Sequence, residues 1–153
     1  MKRLLTRIIS VLSAVVMLSG MTSCRKAPIN GDLDGQWQLM TVNRADGTQI
    51  VPEHRVYYCF YLHTSNLMSP NVDKATANMT YVKDKELTLE FPYETSERLE
   101  WFYIDPDDCV SLPDISENPD ATGVTIRFDI KKLNSSSLVM ESVAGTVFTF
   151  RRY

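Results

Sequence analysis

Three kinds of side chain in this sequence could do chemistry: two histidines, three cysteines and a dense run of acids. His54 follows Pro52-Glu53 in a loop-like stretch, and His63 ends an apolar run. A thiol or hydroxyl nucleophile needs a base within hydrogen-bond reach. The simplest pair is Cys59 with His63, yet four residues apart in one strand they stand roughly 13 Å from each other. No G-x-S-x-G, H-E-x-x-H, Walker or G-x-G-x-x-G pattern occurs. No constellation meets the needs of catalysis, so the chain is read as a non-enzyme. Glu94 to Asp120 holds nine acids against Arg98 alone. Asp105-Pro106-Asp107-Asp108 could offer oxygens to Ca²⁺, but the D-x-D-x-D-G spacing and bidentate Glu of a calcium loop are missing. The run reads as a solvated acidic rim, and no metal or cofactor is expected.

Cys59 and Cys109 could form one disulfide in an oxidising compartment. They could equally stay as two separate buried thiols, and no spacing rule chooses between these. The aromatic set Tyr57, Tyr58, Phe60, Tyr61, Trp101 and Tyr103, with Phe102 between the last two, is the candidate ligand site. Such rings supply apolar wall and hydroxyl handles. The same rings could simply fill a core.

These residues must be positioned by strands. At 153 residues and 44% hydrophobic, the chain has the size and composition of one globular domain. Period-two alternation outweighs helical periodicity. Trp37, Leu39 and Thr41 alternate with Gln38, Met40 and Val42, and a turn follows at Asn43 to Gly47. Arg55 to His63 reads as a strand with Val56, Tyr58, Phe60 and Leu62 on one face, continuing, bent, through Leu67 and Met68 to Pro70. Asn71 to Ala77 reads as a polar loop. Met79 to Val82 and Glu86 to Phe91 form a hairpin, and Leu99, Trp101 and Tyr103 alternate again. Val124, Ile126, Phe128 and Ile130 alternate most clearly. Leu138 to Val143 and Thr146 to Arg152 close the chain as a hairpin. The pattern predicts an all-β fold, a single up-and-down antiparallel β-barrel of about eight strands.

Residues 1–23 read as a signal peptide. Lys2, Arg3 and Arg7 precede an apolar run from Ile8 to Leu18 broken only by Ser10 and Ser13. That run is short of the roughly 20 apolar residues needed to span a bilayer. It ends in Ser19-Gly20-Met21-Thr22-Ser23-Cys24, which resembles the lipobox of bacterial lipoproteins. The resemblance implies lipidation of Cys24 and cleavage just before it. Two or more acyl chains hold a protein stably to a membrane where one does not. Residues 24–34 then read as the lipidated cysteine and a tether, and 35–153 as the barrel domain. Without the signal's three basic residues, thirteen basic face nineteen acidic side chains, a net of -6. An acidic domain is not expected to bind nucleic acid.

Gly35-Gln36-Trp37 resembles the G-x-W opening of lipocalins. The tail from Phe128, with Ile-Lys-Lys-Leu, a Ser-rich turn, Leu-Val-Met-Glu and a final Phe-Thr-Phe-Arg-Arg, resembles small lipocalin-like lipoproteins of Gram-negative bacteria, mostly of unknown function. The resemblance covers residues 32–153. It implies that an Arg near the end of the last strand packs over Trp37 and closes the barrel base. Arg152 shares parity with Phe148 and Phe150, and Arg151 is the alternative if the strand is bulged.

Two functions follow as expectations. One is a binding module for a small apolar or amphipathic ligand at the barrel mouth. The other is a filled barrel that meets a protein or envelope glycan through its outer surface. The expected location is the outer membrane of the cell envelope, with a monomer held by its lipid. Arg25-Lys26 follow the cysteine where an acidic cluster would direct surface export, so the periplasmic leaflet is favoured. Cys24→Ser should leave the domain folded and move it from the membrane to the soluble fraction on fractionation. A variant that stays membrane-bound would overturn the lipobox reading.

Overall fold

The computed structural model describes residues 28–113, Asn118 and residues 122–153. The signal peptide and Cys24 lie outside these residues. Among the described residues ten strands form in chain order: β1 (Gly35–Asn43), β2 (Gln49–Ile50), β3 (Tyr57–Tyr61), β4 (Thr64–Ser69), β5 (Val72–Val82), β6 (Glu86–Phe91), β7 (Cys109–Ser111), β8 (Val124–Leu133), β9 (Ser137–Ser142) and β10 (Val147–Arg152). Eight of them, β1, β3, β4, β5, β6, β8, β9 and β10, pair antiparallel in succession, and β10 returns to β1. The result is a closed up-and-down barrel, the one sheet topology that leaves no free edge. The two short strands lie off this circuit, β2 on β1 and β7 on β8.

The alternating positions make the interior. Leu87, Leu89 and Phe91 of β6 meet Phe128, Ile126 and Val124 of β8 across the ladder, all buried. Phe148 and Phe150 of β10 face inward and pack edge-on or tilted against Phe128 and Tyr58, with ring centroids 5.4 and 4.9 Å apart. Small side chains, Ser65, Ala75 and Ala77, occupy inward positions of β4 and β5. An eight-stranded barrel is just wide enough to be filled by such side chains.

Four stretches differ from the sequence expectation. In β1 the register slips between Leu39 and Thr41, so Val42 is buried where Thr41 was expected. A bulge adds one residue and inverts the alternation beyond it. The strand after Arg55 does not continue to Pro70. It turns at Leu62-His63, with Leu62 at φ 56°, and returns as β4. Of the expected loop Asn71 to Ala77, residues 72–77 are the start of β5, with inward positions filled by alanines. Leu99 to Tyr103 is not a strand. A short helix α1 (Ser96–Leu99), capped by Thr95, runs into a 3-10 turn at Glu100–Phe102. Leu99 and Phe102, three apart, share the buried side of that turn.

The base of the barrel is closed by its own ends. A 3-10 turn at Gly31–Leu33 buries Leu33, so the packed domain takes in residues that read as tether. Trp37 is fully buried, and its Nε1 donates to the Leu33 carbonyl at 2.8 Å. The Arg152 guanidinium lies 4.9 Å from the Trp37 ring centre. Its Nη1 donates to Asp32 O at 2.8 Å, and its Nη2 donates to Asp34 O. Gly35 has φ +134°, and a Cβ there would come within 2.9 Å of Arg152 Nη2. The glycine two residues before the tryptophan thus leaves room for the guanidinium. Trp37→Ala should cost roughly 3–5 kcal/mol in equilibrium urea unfolding, through lost burial and the cavity left behind. Arg152→Ala should cost less, roughly 1–3 kcal/mol, because it removes a cation–π contact and two hydrogen bonds at a partly exposed site.

Candidate functional site

The other end of the barrel is its mouth. There the chain leaves β6 at Phe91 and returns to β8 at Val124, and part of this excursion folds back over the opening. Leu99, Phe102 and Ile104 are fully buried within the barrel's core cluster. Tyr58, from inside β3, donates its hydroxyl to Phe102 O at 2.8 Å. Burial, with the nearby Asp108 charge, pushes the Tyr58 phenol well above its ordinary range, so it stays a neutral donor.

An ionic cluster bolts this segment down. Arg44, just beyond β1, reaches Asp108 Oδ2 through Nη1 and Asp105 Oδ1 through Nη2, each at 2.8 Å. The Arg44 Nη2 also donates to Tyr103 O at 3.1 Å. Asp108 is fully buried. It accepts in addition from Ser142 Oγ of β9 at 2.5 Å and from Asp105 N at 3.0 Å. Ser142 Oγ in turn accepts from Thr146 N at 3.2 Å. The acids of Asp105 to Asp108 were expected as a solvated rim, and for Asp108 that is corrected. A buried carboxylate is tolerable only when paired and hydrogen-bonded, as here. Asp105 is more open; burial raises its pKa and Arg44 opposes the rise.

The six aromatic residues singled out from the sequence do not form one site. Tyr58 and Phe60 are core. Tyr57 faces out from β3 and packs edge-on against Tyr153, centroids 5.0 Å apart. Tyr61 is 64% exposed at the β3–β4 turn, at the base. Only Trp101 and Tyr103 come together at the mouth. They line a groove of about 240 Å³ with Glu53, His54, Asn71 and Glu100. Trp101 is 55% exposed. Tyr103, at φ 67°, accepts from Glu53 N through its hydroxyl at 3.3 Å, which ties the β2–β3 loop to the rim. Glu53 and Asn71 are groove residues that the sequence did not mark, since the loops that bring them there carry no motif, and His54, noted only as a loop histidine, joins them.

The cysteines do not pair. Both thiols are free. Cys59 points outward from β3 between buried Tyr58 and Phe60, while Cys109 lies on β7 against β8, a strand not adjacent to β3. The Cys109 Sγ approaches Asp105 O at 3.5 Å. Burial, aided by Asp108, Asp105 and Asp107, pushes its thiol up to about 11. Burial also raises the Cys59 thiol. Neither is an activated nucleophile. His63 sits in the base turn and His54 at the mouth, so neither stands in line with Cys59 as one strand. Among the described residues, no three of His, Cys, Asp and Glu are grouped to hold a metal ion.

The chain thus forms a closed eight-stranded meander, sealed at its base by the G-x-W tryptophan under a C-terminal arginine. The family of lipocalin-like domains matches residues 17–153. The chain belongs to this lipocalin-like family. Its fold is similar to the crystal structure of a lipocalin-like protein from Bacteroides uniformis, with a TM-score of 0.54, 22% identity, and 80% of this chain against 100% of that one. It is also similar to an uncharacterized protein from Bacteroides eggerthii, with a TM-score of 0.52, 18% identity, and 79% of this chain against 99% of that one. No curated protein matches the chain. In this lipocalin-like barrel the mouth is covered by the chain's own residues 99–108. Arg44→Met should cost roughly 3–5 kcal/mol in urea unfolding, since it strands Asp108 as a buried charge. Adding Asp108→Leu should recover part of that loss, and the double-mutant cycle reads the coupling.

Proposed function

We propose that this lipocalin-like protein is a lipid-anchored, non-catalytic binding module that takes a small apolar or amphipathic ligand on the rim of its mouth. The observation that carries this reading is Trp101, half exposed beside Tyr103 in a groove, above an interior filled with side chains. An exposed indole offers a flat apolar face for a ligand. Around it Glu53, His54, Asn71 and Tyr103 supply hydrogen-bonding groups. The signal-like N-terminus and Cys24 support a lipid anchor in the outer membrane, facing the periplasm, and the domain then acts as a monomer on its tether. The separation of the two histidines and the raised thiols support a non-catalytic role.

A second reading has its own support. The filled barrel favours a partner that stays outside, a protein or an envelope glycan laid across the same aromatic groove. Native mass spectrometry of protein purified from its own envelope separates the two. A retained small molecule supports the first reading, and co-purifying protein or glycan supports the second. Trp101→Ala should abolish retention of the small molecule while changing stability by no more than about 0.5 kcal/mol, as expected of an exposed position. Retention that survives Trp101→Ala would overturn the rim site.

A further inference from the structure

We propose that the base of the barrel is a membrane-contacting face, which seats the domain with its mouth outward on an anionic phospholipid surface. This rests on the lipid-anchor reading above. The first support is where the chain leaves the domain. Asn30 Nδ2 donates to Leu62 O at 2.8 Å and so pins the N-terminal segment against the β3–β4 turn. There Pro28 and Ile29 border a groove of about 530 Å³ with His63, Met79, Tyr81 and Lys83. Pro28 is four residue steps from Cys24, with three residues between them. Fully extended, these steps reach at most about 14 Å. A domain on so short a tether keeps its base near the bilayer.

The second support is the composition of this end. Ile29, Leu62 and Val82 are 62%, 37% and 48% exposed, and Tyr61 is exposed beside the β3–β4 turn. Scattered exposed aliphatics are ordinary, but here they gather around the exit of the tether. Aliphatic and tyrosine side chains at one level suit the headgroup boundary of a bilayer. The third support is charge. The turn between β5 and β6 carries exposed Lys83 and Lys85 around Asp84, and with exposed Lys132 and Arg151 at other base strand ends these cations outnumber the exposed base acids Asp32 and Asp84. Neither Lys83 nor Lys85 forms an ion pair among the described residues. Arg25 and Lys26 of the tether add to them in sequence. At the mouth the acids Glu53, Glu94, Glu97, Glu100, Asp105 and Asp107 outnumber the bases Arg55, Lys74 and Arg98, so that end has the opposite sign. An anionic surface therefore attracts the tethered end and repels the far one.

The test uses the full-length lipidated protein in phosphatidylglycerol–phosphatidylcholine vesicles, in phosphatidylcholine vesicles and in detergent. Lysines are labelled with a membrane-impermeant acylating reagent and read by peptide mass spectrometry. In the anionic vesicles Lys83 and Lys85 should be protected roughly fivefold or more relative to detergent, and high salt should remove that protection. Lys74, exposed near the mouth, should label equally in all three. Protein that floats with the vesicles yet labels Lys83 and Lys85 as fast as Lys74 overturns the base contact and leaves the anchor standing. Protein that does not float and carries no acyl mass on Cys24 overturns the anchor and the base contact together. The K83E/K85E variant should still float while Lys132 loses its protection, and continued protection of Lys132 would overturn the role of these lysines.

Discussion

The guanidinium of Arg152 joins the end of the last strand to the start of the first. It lies over the Trp37 indole and bonds the carbonyls of Asp32 and Asp34. Ring closure between β10 and β1 depends on this corner, because both strands end there. The requirements of the contact extend outward. Trp37 must be buried to present its face, Leu33 must lie beneath to accept from its Nε1, and Gly35 must be without a side chain. A cation–π pair with its hydrogen bonds is modest in energy beside the burial of the indole. Its importance is geometric, because it sets the register on which the inward positions of β1 and β10 depend.

The two ends of the barrel are sealed by different physics. At the base a cation sits on an aromatic ring. At the mouth a buried aspartate takes an arginine, a serine hydroxyl and a backbone N–H. Desolvating Asp108 is repaid only by that full set, so the cluster holds one arrangement firmly and tolerates few others. Between the seals the interior is occupied by the protein's own side chains. In the proposed function, recognition therefore takes place on the surfaces of the barrel and not inside it. The mouth rim offers an indole and an acidic surround. The base offers lysines and aliphatic side chains next to the tether.

Much of the barrel was legible because strong alternation is a local signal. Val124, Ile126 and Phe128 face one way along β8, and Phe148 and Phe150 do so along β10. The illegible parts have identifiable causes. In β4 and β5 the inward side chains include Ser65, Ala75 and Ala77, whose small size hides the alternation among polar neighbours. At Leu99 to Tyr103 aromatic residues two apart imitate a strand, while the Thr95 cap and the buried Leu99–Phe102 spacing mark a helical turn. The bulge in β1 shifts parity, which no residue type announces. At the candidate site, Trp101 and Tyr103 were legible as aromatic residues. The burial of Asp108 was not, because its partner Arg44 lies 64 residues away and acids in a row look solvated.

Arg152 finds its carbonyl partner on Asp32, 120 residues earlier in the chain. That separation has a consequence for how the protein is made. A chain synthesised N-terminus first presents β1 long before β10 exists. Until then the β1 edge facing β10 is an unpaired row of backbone donors and acceptors, open to other chains. Closure waits for the last six residues of the barrel, Val147–Arg152. Its loop entropy must be paid at the final step, so ring formation is a slow, late event. A truncation that removes only this strand leaves two raw edges instead of a slightly shorter barrel. The completeness of the last strand decides between a sealed barrel and an open ribbon with two sticky edges.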